Sequence, residues 1–355
     1  MSVGDLSAPS YHELKSSLTI LIHGKRDFKP ENSPKYNYSV RQIEKLTELF
    51  PDTKIIISTW ENEFIPLRFK SGNINIIFGK DPGASLISKD GETHNLDRHV
   101  QSTKSGLSEV DTEYVLIIRP DILIKNDKIL KKYVRYWSKY FGQDKTFNSE
   151  FSLEAPLLAL ADGTKNEDNA NKYFWGWGMF LFHTCDFLYL GKTSDMRKIF
   201  NISISQDGRG SPPQFALNFY LKQINAFHTH SKYIQRWVAE AYPIVTYLKH
   251  KSDFKLPNTS WEWDKETINL SQRWHSKAVI LLNMRGNGIV WLKNKYSLQS
   301  FPFGSLCRYS EFLWLKRAEV RTIAKVYYFS RHLLFSFNRA SINLVDSVFR
   351  IRFRR

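Results

Sequence analysis

The chain has 355 residues, of which 42% are hydrophobic, 15% aromatic and 24% charged, enough apolar content for an ordinary core and too much for a largely disordered polypeptide. That length admits two domains, or one large domain with an appendage. Fifty-one Lys and Arg against 35 Asp and Glu leave a formal charge of +16, a balance suited to phosphate-bearing partners such as nucleic acid, anionic lipid or a phosphorylated substrate.

The first 120 residues read as an alternating α/β unit. Apolar runs of buried-strand length occur at Leu18 to Ile22, Lys54 to Ser58, Asn75 to Phe78 and Tyr114 to Ile118, each bounded by turn residues. Ser39 to Phe50 places Ile43, Leu46 and Leu49/Phe50 on one helical face, with Pro51-Asp52 as its stop, and a second helix fits Asn95 to Val110. Strand, helix, strand at this spacing predicts parallel strands with right-handed crossovers and a ligand crevice beyond their carboxyl ends. Further on, a short strand is expected within Glu154 to Leu160, sheet strands within Phe174 to Gly191, and a helix over residues 212–224. Residues 246–310 read as mixed structure without a repeat.

Two cysteines, Cys185 and Cys307, are too few for a disulfide framework, and no His/Cys cluster has zinc-ligand spacing, so a reducing compartment is expected. The amino-terminal residues lack the apolar core of a signal peptide, and no apolar run reaches the roughly 18 residues that span a bilayer. These features predict a cytoplasmic protein or one lying on a membrane face.

The residues following each strand carry most weight in such a fold: His23-Gly24-Lys25, Thr59-Trp60-Glu61, Gly79 to Gly83 and Arg119-Pro120-Asp121. Neither GxGxxG nor GxxxxGK[ST] is present, which removes the sequence support for a dinucleotide enzyme or a P-loop NTPase. Asp121 can hold a divalent cation that bridges a diphosphate, and Arg119 can neutralise a phosphate oxygen directly; the plain alternative for Asp121 is a turn residue after proline. On a helix Arg98, Ser102 and Ser105 share a face, with Gln101 beside them, so they form either a binding strip or a solvated face. Asp186, set among Phe182, Phe187, Leu188 and Tyr189, is either a general base raised by desolvation or a buried acid bonded to backbone.

Taken in order, ILIHGK from Ile20, STW at Ser58 to Trp60, KDPG at Lys80 to Gly83, NxxRxxxST with GL at Asn95 to Leu107, YVLIIRPD from Tyr114, and FHTCDFLYLGKTSDMRKIF at Phe182 to Phe200 resemble the WavE family of lipopolysaccharide-synthesis proteins. The resemblance spans about Leu18 to Gln223. It implies an α/β fold of the GT-A-like nucleotide-diphospho-sugar transferase kind with a mainly parallel central sheet. It also implies a glycosyltransferase that uses a nucleotide-sugar donor, a lipid-linked saccharide or lipopolysaccharide acceptor, and a Mn²⁺ or Mg²⁺ ion as an optional cofactor. This chain departs from the family pattern at His23, where glutamine is usual, at Cys185-Asp186-Phe187 in place of SDW, and at Pro212-Pro213-Gln214 in place of a PEQ-like segment.

Under that resemblance Asp186 is the expected catalytic base. The donor would be held by His23, Gly24, Lys25, Trp60, Asp81, Arg98, Ser102, Arg119 and Asp121, with Asp121 also the candidate metal ligand. A nucleic-acid-binding protein and a non-catalytic polysaccharide-assembly scaffold are the rival readings; the chain carries no helix-turn-helix, zinc-finger or RNA-recognition signature, and no nucleic-acid partner is expected.

Ten Lys and Arg against three Asp and Glu place +7 of the excess charge in Glu311 to Arg355. There Leu313, Leu315, Val320, Ile323, Val326 and Tyr327 recur at near-helical spacing, with Lys316, Arg317, Arg321, Lys325 and Arg331 between them. This predicts a basic amphipathic helix against an anionic membrane surface, on the cytoplasmic face of the inner membrane. The expected division is a catalytic domain over 1–245, its extension over 246–310 and the helical tail over 311–355.

Overall fold

The computed structural model describes residues 7–25, 38–69, 72–83, 86–87, 93–141, 150–160, 182, 184–202, 242–251, 254, 265–282, 284 and 286–292. The basic tail, the helix expected over 212–224 and most of the aromatic stretch before Phe182 lie outside these residues.

A seven-stranded sheet forms the centre. Its strands are β1 (Leu18–His23), β2 (Lys54–Trp60), β3 (Ile74–Gly79), β6 (Tyr114–Ile118), β8 (Leu157–Leu160), β9 (Cys185–Lys192) and β10 (Val279–Leu282). They lie in the order β10-β8-β9-β6-β1-β2-β3. The remaining strands are β4 (Leu86–Ile87), paired antiparallel with β5 (Thr93–His94), and β7 (Ile122–Ile124), paired antiparallel with β11 (Ile289–Trp291).

All neighbours in the large sheet run parallel except β9, which is antiparallel to both β6 and β8. The architecture is α/β with a mainly parallel central sheet, as the sequence leads one to expect. β1 is buried along its whole length and β2 along all but its first residue. This is the burial expected of parallel strands covered on both faces, and it explains why they read as unbroken apolar runs rather than alternating ones. β3 closes one edge, where burial is incomplete and Phe78 is exposed.

Among the described residues the α-helices are α1 (Tyr11–Ser16), α2 (Tyr38–Leu49), α3 (Leu96–Ser108), α4 (Lys128–Tyr140), α5 (Thr193–Phe200), α6 (residues 242–250) and α7 (Lys265–Lys277). α2 carries the chain from β1 to β2, and α3 carries it from the β3 edge back to β6 on the other side of β1. Right-handed crossovers in opposite directions put these two helices on opposite faces. α3 lies close on the sheet because Gly106 has no side chain: a Cβ there would collide with the Cδ1 atom of Leu21. The reversal of strand order between β1 and β6 is the topological switch point, and in open α/β sheets ligands bind beyond the carboxyl ends of the strands at such a point.

Candidate functional site

Along the carboxyl edge of the sheet the strand ends bring together four segments, in the order Arg119-Pro120-Asp121 after β6, His23 to Lys25 at β1, Thr59-Trp60 at β2, and Lys80-Asp81 after β3. β9 runs the other way, so its first residues, Cys185 and Asp186, reach this same edge. The register confirms it: Leu188 pairs with Ile118, and the Arg119 amide donates to the Phe187 carbonyl at 3.1 Å.

The β6 side is a buried lock. Arg119 Nε and Nη2 donate to Asp121 Oδ1 and Oδ2 at 3.1 and 2.8 Å, and Trp291 Nε1 donates to Asp121 Oδ2 at 2.8 Å. The Asp121 side chain is 2% exposed and that of Arg119 25%, so the carboxylate is hidden and the guanidinium reaches the surface. Its plane lies over the Phe187 ring, 4.6 Å from the centroid, and Phe187 leans on Trp291 at 5.0 Å. Beneath, Gln42 Nε2 donates to the carbonyls of Arg119 and Ile122, both at 2.6 Å, and the Leu292 amide donates to the Asp121 carbonyl at 2.8 Å. These bonds tie the turn to α2 and to β11. A guanidinium with its fork held by a carboxylate and its face on an aromatic ring keeps one orientation, which favours geometry-specific recognition of an oxyanion.

The β3 side carries a second arginine. Arg98 Nε and Nη2 each reach a different oxygen of Asp81 at 2.7 Å, and Nη1 donates to Asn95 Oδ1 at 3.0 Å. Asp81 also accepts from the Gly83 amide at 2.9 Å. Partial burial pushes the Asp81 carboxyl upward, but the Arg98 hydrogen bonds, the Gly83 amide and the charges of Arg98 and Lys25 outweigh it and leave the group below its ordinary value. That influence places exposed Lys25 in the same electrostatic neighbourhood.

Between them lies the end of β1. Gly24 has φ +97°, a backbone region open to glycine and strained for other residues. Its amide donates to the Ser58 carbonyl at 3.0 Å and its carbonyl accepts from Thr59 Oγ1 at 3.1 Å. The His23 ring is buried beneath the edge, 4.8 Å edge-to-face from His99 and with Nδ1 3.4 Å from Ser102 Oγ. Ser102 is equally buried and donates to the Arg98 carbonyl at 2.6 Å. The helix strip containing Arg98 and Ser102 is thus divided: Arg98 faces the edge and Ser102 the sheet. Trp60 is the last residue of β2 and is 4% exposed, a packed side chain. Asp186 lies in β9, and its side chain is outside the described residues.

A divalent cation does not fit the described residues. Among them no group of three His, Cys, Asp or Glu converges, and the Asp121 and Asp81 carboxylates are each bound by an arginine on both oxygens. Among the described residues of the edge, Arg98 and Arg119 are cations held by carboxylates, and exposed Lys25 lies near Asp81.

Trp291, Gln42 and Phe187 are the site residues that strand-end reasoning does not supply. Gln42 had a signal, since it lies on the apolar face shared with Leu46 and Leu49, where a polar side chain needs a partner. Ser271 of α7 is another: its hydroxyl accepts the Phe182 amide at 2.8 Å and supports that residue at φ +57°, four residues before Asp186.

Fold and edge together define an α/β protein with a mainly parallel sheet and cationic side chains along the carboxyl edge of its strands. Residues 19–272 match the family described as WavE lipopolysaccharide synthesis, and the chain belongs to that family. Membership assigns it to lipopolysaccharide synthesis. No curated protein matches the sequence.

Among solved structures, 4-diphosphocytidyl-2C-methyl-D-erythritol synthase from Anaerococcus prevotii is 10% identical, over 83% of this chain and 96% of that one, with a TM-score of 0.36. The galactosyltransferase LgtC in complex with donor and acceptor sugar analogues is 12% identical, over 75% of this chain and 74% of that one, with a TM-score of 0.33. The bifunctional IspDF from Campylobacter jejuni is 14% identical, over 54% of this chain and 46% of that one, with a TM-score of 0.28. Likenesses at this level carry no argument about chemistry. Among the described residues no helix is long and apolar enough to cross a membrane.

Proposed function

We propose that this enzyme moves a sugar from a nucleotide-diphosphate donor to a hydroxyl of a lipid-linked saccharide or lipopolysaccharide acceptor. The observation that carries the reading is the placement of Lys25, Arg98 and Arg119 along the carboxyl edge of the sheet, the two arginines each held by a carboxylate. In glycosyl transfer the bond from the anomeric carbon to the diphosphate oxygen breaks with its electron pair, and negative charge grows on the leaving group. Cations already oriented at that position stabilise the charge without reorganising. The acceptor oxygen forms the new bond and gives up its proton, and the Asp186 carboxylate is the proposed recipient. Its support is its place at the start of β9, beside the Arg119 turn. Backbone of the Gly24 turn and the Asp81–Arg98 pair would flank the sugar and phosphates, while His23, Ser102 and Trp60 would shape the crevice from below.

In this reading residues 1–245 and 246–310 act together, since β10 and β11 come from the second segment, and the 311–355 tail rests through Lys316, Arg317, Arg321, Lys325 and Arg331 on the cytoplasmic face of the inner membrane. The test is thermal stabilisation by a panel of nucleotide sugars, each with and without Mn²⁺ or Mg²⁺, because a ligand that binds the native state raises its melting point. One nucleotide sugar should stabilise the wild type saturably, and Arg119→Ala with Arg98→Ala should abolish the shift. A shift that survives both substitutions would remove these arginines from the donor site.

A further inference from the structure

The outer face of α4 is a single-sign stripe. Lys128, Lys132, Arg135 and Lys139 follow one another at intervals of four, three and four, so they fall in one line on the helix, about 16 Å long at 1.5 Å per residue. The opposite face, Ile129, Leu130, Tyr133, Tyr136 and Trp137, is buried. Among the described residues no carboxylate pairs with Lys128, Lys132 or Arg135; the nearby acid, Asp127, binds Lys131 at 2.9 Å and is also bonded to the Tyr11 hydroxyl.

Like charges one turn apart on a helix repel. Partial burial, then the charges of Lys128 and Arg135, hold the Lys132 ammonium below its ordinary pKa. Two amphipathic rings border the stripe: Lys131 lies 5.2 Å from the Tyr11 ring and Lys139 5.2 Å from that of Tyr140. A helix meant only for water gains from mixed charges. One that keeps a row of cations without carboxylate partners among the described residues, with tyrosines at its margin, suits a broad anionic surface.

We propose that the outer face of α4 docks on an anionic lipid surface. The cations would meet lipid phosphates, and Tyr11 and Tyr140 would lie at headgroup level, where tyrosine is favoured. A lipid surface fits better than a nucleic-acid strand because the stripe is straight and convex, whereas single strands are bound in grooves with stacked aromatic rings. This contact is separate from the 311–355 tail and independent of the chemistry at the crevice, so it can fail while the transferase reading stands.

The test is cosedimentation of the full chain with vesicles of phosphatidylcholine alone or with phosphatidylglycerol. Replacing Lys128, Lys132, Arg135 and Lys139 together by Gln, with the tail intact, should weaken binding to the anionic vesicles roughly tenfold or more. Binding to the neutral vesicles should stay unchanged, and the melting point should not fall. Arg at the three lysine positions, which keeps the charge, should bind as the wild type does. If the Gln variant partitions like the wild type, or loses affinity for single-stranded RNA while keeping its affinity for vesicles, the proposal is overturned.

Discussion

Asp121→Asn tests whether this carboxylate is the anchor of Arg119. The substitution keeps the shape and removes the charge. Three donors now converge on two carboxylate oxygens, at 3.1, 2.8 and 2.8 Å. An amide offers one oxygen, so at least one of those donors would face an NH₂ group, and the surviving bonds would lose their charge assistance. Removing one partner of a buried ion pair costs about 3–5 kcal/mol. Arg119 is 25% exposed, so water recovers part of its solvation, and about 2–3 kcal/mol is the better expectation. Urea unfolding of the full chain should show a lower midpoint at an unchanged slope. Because the guanidinium then loses the carboxylate that holds its fork, nucleotide-sugar affinity and turnover should fall with stability. A stability change below about 0.5 kcal/mol, the level of an ordinary surface substitution, would refute the anchoring role.

Gly106→Ala adds a methyl group that meets Leu21, whose side chain is fully buried; the helix-propensity gain of about 1 kcal/mol is outweighed by overpacking of about 1–3 kcal/mol, so a lower melting point is expected and a higher one would show that α3 shifts freely. Asp81 sits below its ordinary pKa, so its contribution is present above the unfolded-state value near 3.9 and is lost as pH falls through the lower folded value. With the pair 31% and 37% exposed, that contribution is at most about 1 kcal/mol; Asp81→Asn should flatten this part of the acid limb in urea melts between about pH 5 and 2, and an unchanged limb would contradict the assignment. Asp186→Asn should lower turnover by roughly 10² to 10⁴ while donor affinity changes little, measured by steady-state kinetics beside ligand-induced melting shifts; a folded variant with wild-type turnover would exclude the residue as base.

The central strands were legible because parallel strands covered on both faces must be apolar along their length, and β1, β2 and β6 match the runs read from sequence within two residues. α3 was legible too, and so was the edge at which the site forms. α1 carries a readable signal that is absent from the expected elements: Ser10 and Glu13 form a capping box, with bonds of 2.7 and 3.2 Å. α4 is equally periodic, yet its many lysines mask its apolar stripe. What was not legible is pairing at long range. Nothing local states that β9 runs against its neighbours, and so nothing local brings Asp186 to the crevice edge. The division of the Arg98–Ser102 strip depends on how α3 rolls against β1, which Gly106 and Leu21 decide together. Asp121 could be read as a turn residue or a phosphate-site acid, but its actual partners required the sheet order and a strand near the other end of the described chain.

That distance sets a schedule. Trp291 lies 170 residues beyond the carboxylate it binds, and β11 completes the ladder with β7 only when both have left the ribosome. At ~5–20 residues per second, synthesis of that interval takes about 10 to 30 s. During it the amino-terminal strands can pair, yet Asp121 lacks its indole donor and the turn lacks the Leu292 amide. Arg119 therefore acquires its final orientation among the last events of chain growth, and a nascent chain halted before residue 289 should hold a nucleotide sugar less tightly than the finished protein.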